Sequence, residues 1–180
     1  MDDLIDQIHY DHLSMSKVLN IMEEGLERIE SDLDLDYGLM VEAMRYMIDY
    51  SDTVHHPKED AIFDRLLKRA PDLEEIIGEI HAQHKAIAKL GNQFYSIVDN
   101  ASLGEFVAKQ DITKMGHDYI RTLRQHINLE EGDLLRKARK FLSDDDMDDI
   151  KQQYANYRDP LLSDSLEQEY TALYQSLINP

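Results

Sequence analysis

The chain contains no cysteine and no tryptophan, and only four prolines and seven glycines in 180 residues. Without cysteine there is no disulfide, no thiolate metal site and no thiol nucleophile. Basic residues are scarce as well. Nineteen Lys and Arg face 37 Asp and Glu, a formal net charge of -18. Phosphate backbones and anionic lipids are bound by clustered cations, so neither nucleic acid nor a membrane surface is an expected partner. No apolar run approaches the ~20 residues of a membrane span. The opening Met1-Asp2-Asp3-Leu4-Ile5-Asp6 has neither the basic region nor the apolar stretch of a signal peptide. A cytoplasmic protein with one compact core is expected. The acidic runs Ser31 to Asp36 and Asp144 to Asp149 lack the glycine and spacing of a calcium loop. They read as solvated turns and helix starts.

What the chain has in abundance is helical periodicity. Ile5, Ile8, His12, Met15, Leu19, Met22, Leu26 and Ile29 follow one another in steps of three and four, the seam of a bundle helix. A second helix is expected from near Asp36 to Ala70, with Val41, Met44, Ile48, Ser51, His55, Glu59, Ile62 and Leu66 inward. Pro57 falls inside it, so either the helix kinks there or two helices abut. A third runs from Pro71 to about Asn100 with Leu73, Ile77, Ile80, His84, Ile87, Gly91, Phe94 and Val98 on one face. A fourth runs from about Leu103 to Phe141 with Gly116, Tyr119, Leu123, His126, Glu130 and Leu134. Short connections make neighbours antiparallel, so the expected fold is all-α, an up-down-up-down four-helix bundle over residues 1–141. Residues 142–180 read as a helical extension packed on the bundle. In it Ser143 caps one helix reaching about Tyr157, Pro160 breaks the chain, and a last helix spans Leu166 to Ile178.

Four histidines occupy seam positions where leucine would be ordinary: His12, His55, His84 and His126, one on each bundle helix. Two of them open a His-x-x-x-Glu phrase, pairing His55 with Glu59 and His126 with Glu130. Residues four apart share a helix face. With a rise of ~1.5 Å per residue, the six groups lie within ~5 Å of one level. One such histidine is ordinarily a satisfied core residue. Six polar groups buried together without partners would cost several kcal/mol each, and a pair of metal ions compensates for that. Imidazole with carboxylate suits Fe, Mn or Zn, and two carboxylates placed to bridge favour two ions. The His-Glu-x-x-His phrase of zinc hydrolases and the Glu-x-x-His of ferritin-like diiron bundles are both absent.

Rotation sorts the rest. Asp60 and Glu131, one residue past the ligands, swing to the surroundings of the site or the surface. His56 is expected to point away, and His117 lies opposite His126. His9 and His81 sit one turn before His12 and His84. They are candidates for an added ligand, a hydrogen bond to a bound species or a proton relay, with flanking positions as the ordinary alternative. Tyr119 shares the His126 face two turns off, as core packing or pocket lining. Gly91 and Gly116 fit close helix contact or a channel.

At Asp11-His12-Leu13, His55-His56-Pro57-Lys58-Glu59-Asp60, Gln83-His84-Lys85 and His126-Ile127-Asn128-Leu129-Glu130-Glu131 the chain resembles the hemerythrin family, specifically bacterial HHE cation-binding domains. The resemblance runs from about Leu4 to Phe141. It implies a carboxylate-bridged non-heme diiron centre that meets dioxygen, nitric oxide or peroxide. On that footing the protein binds or senses dioxygen, nitric oxide or iron. The alternative is a diiron oxidoreductase acting on peroxide, dioxygen or nitric oxide in stress defence or iron–sulfur cluster repair. The chain departs from oxygen-carrying hemerythrins, which have two third-helix histidines four apart and His-x-x-x-x-Asp on the fourth helix. Here His81 and His84 are three apart and the fourth helix has His-x-x-x-Glu. The cysteine-bearing domain of many cluster-repair proteins is missing.

Overall fold

The computed structural model describes residues 3–157, 159–162 and 170–178. Among these there is no strand, and the chain is a four-helix bundle with two outer helices. The first rod is α1 (Leu4–Glu30), and all eight of its expected seam residues are buried. It ends where Asp32 takes a positive φ of 56° and the Leu33 and Asp32 N–H groups bond back to Arg28 and Ile29, a left-handed helix stop.

The second rod is continuous but not uniform. It comprises α2 (Tyr37–Tyr46), a π-helical segment (Met47–His55) and α3 (His56–Arg69). Asp36 caps it, accepting from the Leu39 N–H at 3.0 Å. In the π segment the His56 N–H bonds five residues back, to the Ser51 carbonyl. Pro57 then sits in the first turn of α3, where a missing N–H costs little. The proline is thus accommodated next to a widened turn in a continuous rod rather than at a break between two abutting helices. The wider turn also resets the face. Ile48, expected in the core, is only half-buried, and Met47, Tyr50 and Val54 are buried instead.

The third rod is α4 (Glu74–Ser102), preceded by a 3-10 turn at Pro71–Leu73. The fourth comprises α5 (Lys109–Leu129), a second π segment (Glu130–Leu134) and α6 (Leu135–Phe141). It begins at Lys109 rather than near Leu103 because Gly104, at φ 86°, ends α4. The Gly104 and Glu105 N–H groups close on Ala101 and Asn100, and the chain then crosses to the next rod. The antiparallel neighbours pack in a ring: α1 on α5, α5 on α4, α4 on α2, and α2 on α1.

Outside the ring, α7 (Asp144–Gln153) lies on α3 and α1, and α8 (Thr171–Ile178) lies on α2 and α1. Residues 166–169, expected to begin the last helix, lie outside the described residues. Ser143 and Asp146 cap α7 reciprocally, and Asp146 also accepts from Arg65 at 2.8 Å and Arg69 at 2.9 Å. The Ser143 N–H and Arg65 hold the Asp146 carboxyl well below the usual carboxylate range. Asp146→Ala is therefore expected to cost about 1 kcal/mol in urea unfolding at pH 7. A depressed carboxyl pKa stabilises above the unfolded value of ~3.9 and not below the folded one. The difference between parent and variant should therefore vanish in acid.

The apolar interior is in two parts. One cluster holds Met15, Leu19, Met22, Leu26, Ile87, Phe94, Tyr119 and Leu123. The other holds Leu4, Ile8, Ile62, Phe63, Ile77, Ile80 and Leu134. Along every rod, the residues separating the two clusters include the histidines and glutamates of the seam.

Candidate metal centre

His12, His55, His84, His126, Glu59 and Glu130 meet on one level, each no more than 5% exposed. Every histidine is oriented the same way. Its Nδ1 faces outward to an acceptor and its Nε2 faces the centre. The acceptors form a closed circuit around the bundle. Asp11 of α1 accepts from His55 Nδ1 (3.1 Å), and Asp60 of α3 from His84 Nδ1 (2.7 Å). Gln83 of α4 accepts from His126 Nδ1 (3.0 Å), and Glu131, in the second π segment, from His12 Nδ1 (2.8 Å). Each rod holds the histidine of another. Such partners fix the tautomer and aim the Nε2 lone pair, as around metal-ligating histidines generally. Lys58, itself buried, donates to Asp11 at 2.9 Å. His55 and Lys58 outweigh burial and keep the Asp11 carboxyl low.

At the centre the donors have nothing to bond. His12 Nε2 lies 3.1 Å from Glu59 Oε1 and 3.4 Å from Glu130 Oε2. Glu59 Oε2 is 3.3 Å from His55 Nε2 and 3.5 Å from His84 Nε2. Glu130 reaches His126 Nε2 at 3.2 Å and His84 Nε2 at 3.4 Å. Yet His12 Nε2, His55 Nε2 and all four carboxylate oxygens are buried without a hydrogen bond. His84 Nε2 and His126 Nε2 are 3.1 Å apart. Because both Nδ1 protons are committed outward, two lone pairs meet there unless a cation lies with them.

The protein alone answers with protons. Burial would depress His12, but Glu130, Glu131 and Glu59 override it and raise its pKa well above the usual range. His84 is likewise driven down by burial but carried up to about 9 by Asp60 and Glu130. Burial pushes its neighbour His126 down to about 4. Two carboxylates and four aimed imidazoles thus need positive charge between them, and the donor set fits metal ions.

The other expectations divide. Asp60 and Glu131 lie at the rim, each joining a seam histidine to a flanking one. Glu131 is 3.1 Å from His9 Nδ1, and Asp60 is 3.4 Å from His81 Nε2. His9 and His81 therefore stand outside the ring of acceptors, not at the centre. His117 pairs with Glu30 at 2.9 Å, away from the site. Tyr119 is fully buried against Gly91, with its hydroxyl unpartnered. A Cβ at Gly116 would fall within 3 Å of Leu26 and Phe94, which makes that glycine a close helix contact. The expectation for His56 is corrected. Its ring is buried and stacks on His84 at 4.3 Å, and it stands edge-on to His126. The π segment, which breaks the regular α-helical stagger, is the physical reason. Two orienting groups were missed, Asp11 and Gln83. Each stands immediately before a seam histidine but serves the histidine of a different rod.

Two sets of donors have ligand atoms within 4.8 Å of one another: His12, His55 and Glu59, and His56, Glu59, His84 and His126. Fold and site together define a cation-binding four-helix bundle. Residues 3–138 match the hemerythrin HHE cation binding domain, and the chain belongs to that family. It matches no curated protein and no solved structure. No helix among the described residues is long and apolar enough to cross a membrane.

Proposed function

We propose that this is a non-heme diiron protein of the cytoplasm that binds or senses a small diatomic molecule, dioxygen or nitric oxide. The observation carrying the reading is the convergence of His12, His55, His84, His126, Glu59 and Glu130, with the central atoms of His12, His55, Glu59 and Glu130 unpartnered and the Nε2 atoms of His84 and His126 meeting only each other. His12 and His55 would hold one ion and His84 and His126 the other, with Glu59 and Glu130 between them. Imidazole and carboxylate admit Mn or Zn in the same place. When bound, a pair of iron ions supplies reversible electron transfer to a small oxygen- or nitrogen-containing ligand.

The protein's own part is orientation and exclusion. Asp11, Asp60, Gln83 and Glu131 hold the four Nδ1 protons outward. The apolar clusters on either side keep bulk water from the ions. Donors at most 5% exposed favour a ligand of two or three atoms over a peptide, a nucleotide or a protein surface. The alternative, an oxidoreductase consuming peroxide, shares the same residues.

The test is metal content followed by optical titration. Protein produced in iron-supplemented medium is expected to carry two iron ions per chain, and the reduced form to give a reversible spectral change with dioxygen or nitric oxide. Rapid, repeated consumption of peroxide would move the reading to the oxidoreductase. A colourless chain that takes up no iron after loading would remove both readings.

A further inference from the structure

We propose that His56 is a fifth histidine ligand, serving the ion held by His84 and His126, with Asp52 as its orienting carboxylate. The inference rests on the two-metal reading above and deepens it. His56 is the residue after an expected ligand, and in a regular α-helix it would be turned about 100° from His55. The structure instead buries both. His56 is 3% exposed, and its ring lies parallel to His84, 14° between planes, with centroids 4.3 Å apart. Its donor atom is within 4.8 Å of those of Glu59, His84 and His126.

What surrounds the ring resembles the pattern of the other four, with the outward carboxylate at contact distance but not angled as a hydrogen bond. Asp52 Oδ1 lies 3.2 Å from His56 Nδ1, the ring atom that the other four histidines direct to an outward acceptor. Both Asp52 oxygens are buried without a hydrogen bond, so this carboxylate has no other employment. The remaining nitrogen, Nε2, has only the Ser51 hydroxyl at 3.4 Å, a long contact.

The π segment gains a purpose from this. Its i to i−5 hydrogen bond, His56 N–H to Ser51, is the local feature that brings consecutive histidines to one site. π-Segments are frequent at functional sites for such reasons. The centre becomes unequal, with three imidazoles at the α3, α4 and α5 end and two at the α1 end. The three-imidazole position should fill first.

Cobalt(II) titration of the full-length metal-free protein, followed by its visible absorption, tests this. The parent should take up two ions in distinguishable steps. His56→Ala should weaken the first step by at least about tenfold and make the two steps alike. Asp52→Asn, which leaves the ring in place, should weaken the same step by about tenfold, the lower end of what outer partners contribute. X-ray absorption of the loaded protein should count one imidazole fewer per two ions in His56→Ala. Unchanged uptake and unchanged imidazole count in His56→Ala would overturn the assignment. If that variant does not fold, Asp52→Asn decides, and parental affinity in it overturns the proposal. Failure of the parent to bind any ion would instead remove the two-metal reading, before either variant is made.

Discussion

Glu59→Ala is expected to remove both metal ions, not one. Glu59 is the one residue whose ligand atoms belong to both donor sets. Its Oε1 faces His12 Nε2 at 3.1 Å while its Oε2 faces His55 and His84 at 3.3 and 3.5 Å. Deleting it leaves His12 and His55 with only Glu130, 3.4 Å from His12 Nε2, to offset a cation. It also strips the opposite pair of one of its two carboxylates. Changing an outer partner of a ligand costs 10–100-fold in affinity, so losing a shared ligand should exceed about 100-fold at each position. Glu59→Gln keeps a neutral oxygen and should lie between the variant and the parent. Elemental analysis after gel filtration gives the count. One ion retained at parental affinity would show that Glu59 serves a single metal.

Removing the metal with a chelator is expected to lower the thermal midpoint by about 8–16 °C. Ligand at about 1,000 times its dissociation constant stabilises by roughly 4 kcal/mol. In a chain of this length each kcal/mol moves the midpoint by about 2–4 °C. The pH dependence distinguishes this from generic metal stabilisation. In the metal-free protein His84 titrates at about 9, against ~6.5 unfolded. A raised folded pKa stabilises fully below ~6.5 and loses that contribution as pH rises through about 9. His12, raised by the same carboxylates, acts in the same direction. The metal-free protein should therefore weaken from pH 6.5 to 9. Metal binding, which must displace these protons, should tighten over the same range. Melting curves at pH 6.5, 7.5 and 9, with and without chelator, should show the two forms diverging. Curves that converge would contradict the charge distribution described for the centre.

The bundle is legible in the sequence because burial there obeys a simple period. All eight seam residues of α1 and all eight of the third rod are buried as the spacing of three and four requires. The His-x-x-x-Glu phrases place their residues for the same reason. What the period does not carry is a change of period. Nothing in composition marks Met47–His55 or Glu130–Leu134 as π-helical; Pro57 is the one hint, read only as a kink or break. Ile48 and His56 were misplaced by that single inserted register. Asp11 and Gln83 were missed for another reason. Each is about 100° from its adjacent histidine and so points to a different rod, a relation that needs the assembled bundle. Asp60 and Glu131 are expected beside the site or at the surface, and the circuit that they complete is not visible in the spacing.

The division of the interior into two apolar clusters also bears on what joins the two ends of the molecule. Oily contacts stop on either side of a slab of imidazole and carboxylate. Without metal that slab is held at its rim by the circuit of Nδ1 hydrogen bonds, while at its centre the contacts are too poorly angled to bond. A bound ion would rivet the slab through all four rods, so that the site would serve as the middle layer of the core as well as its metal centre.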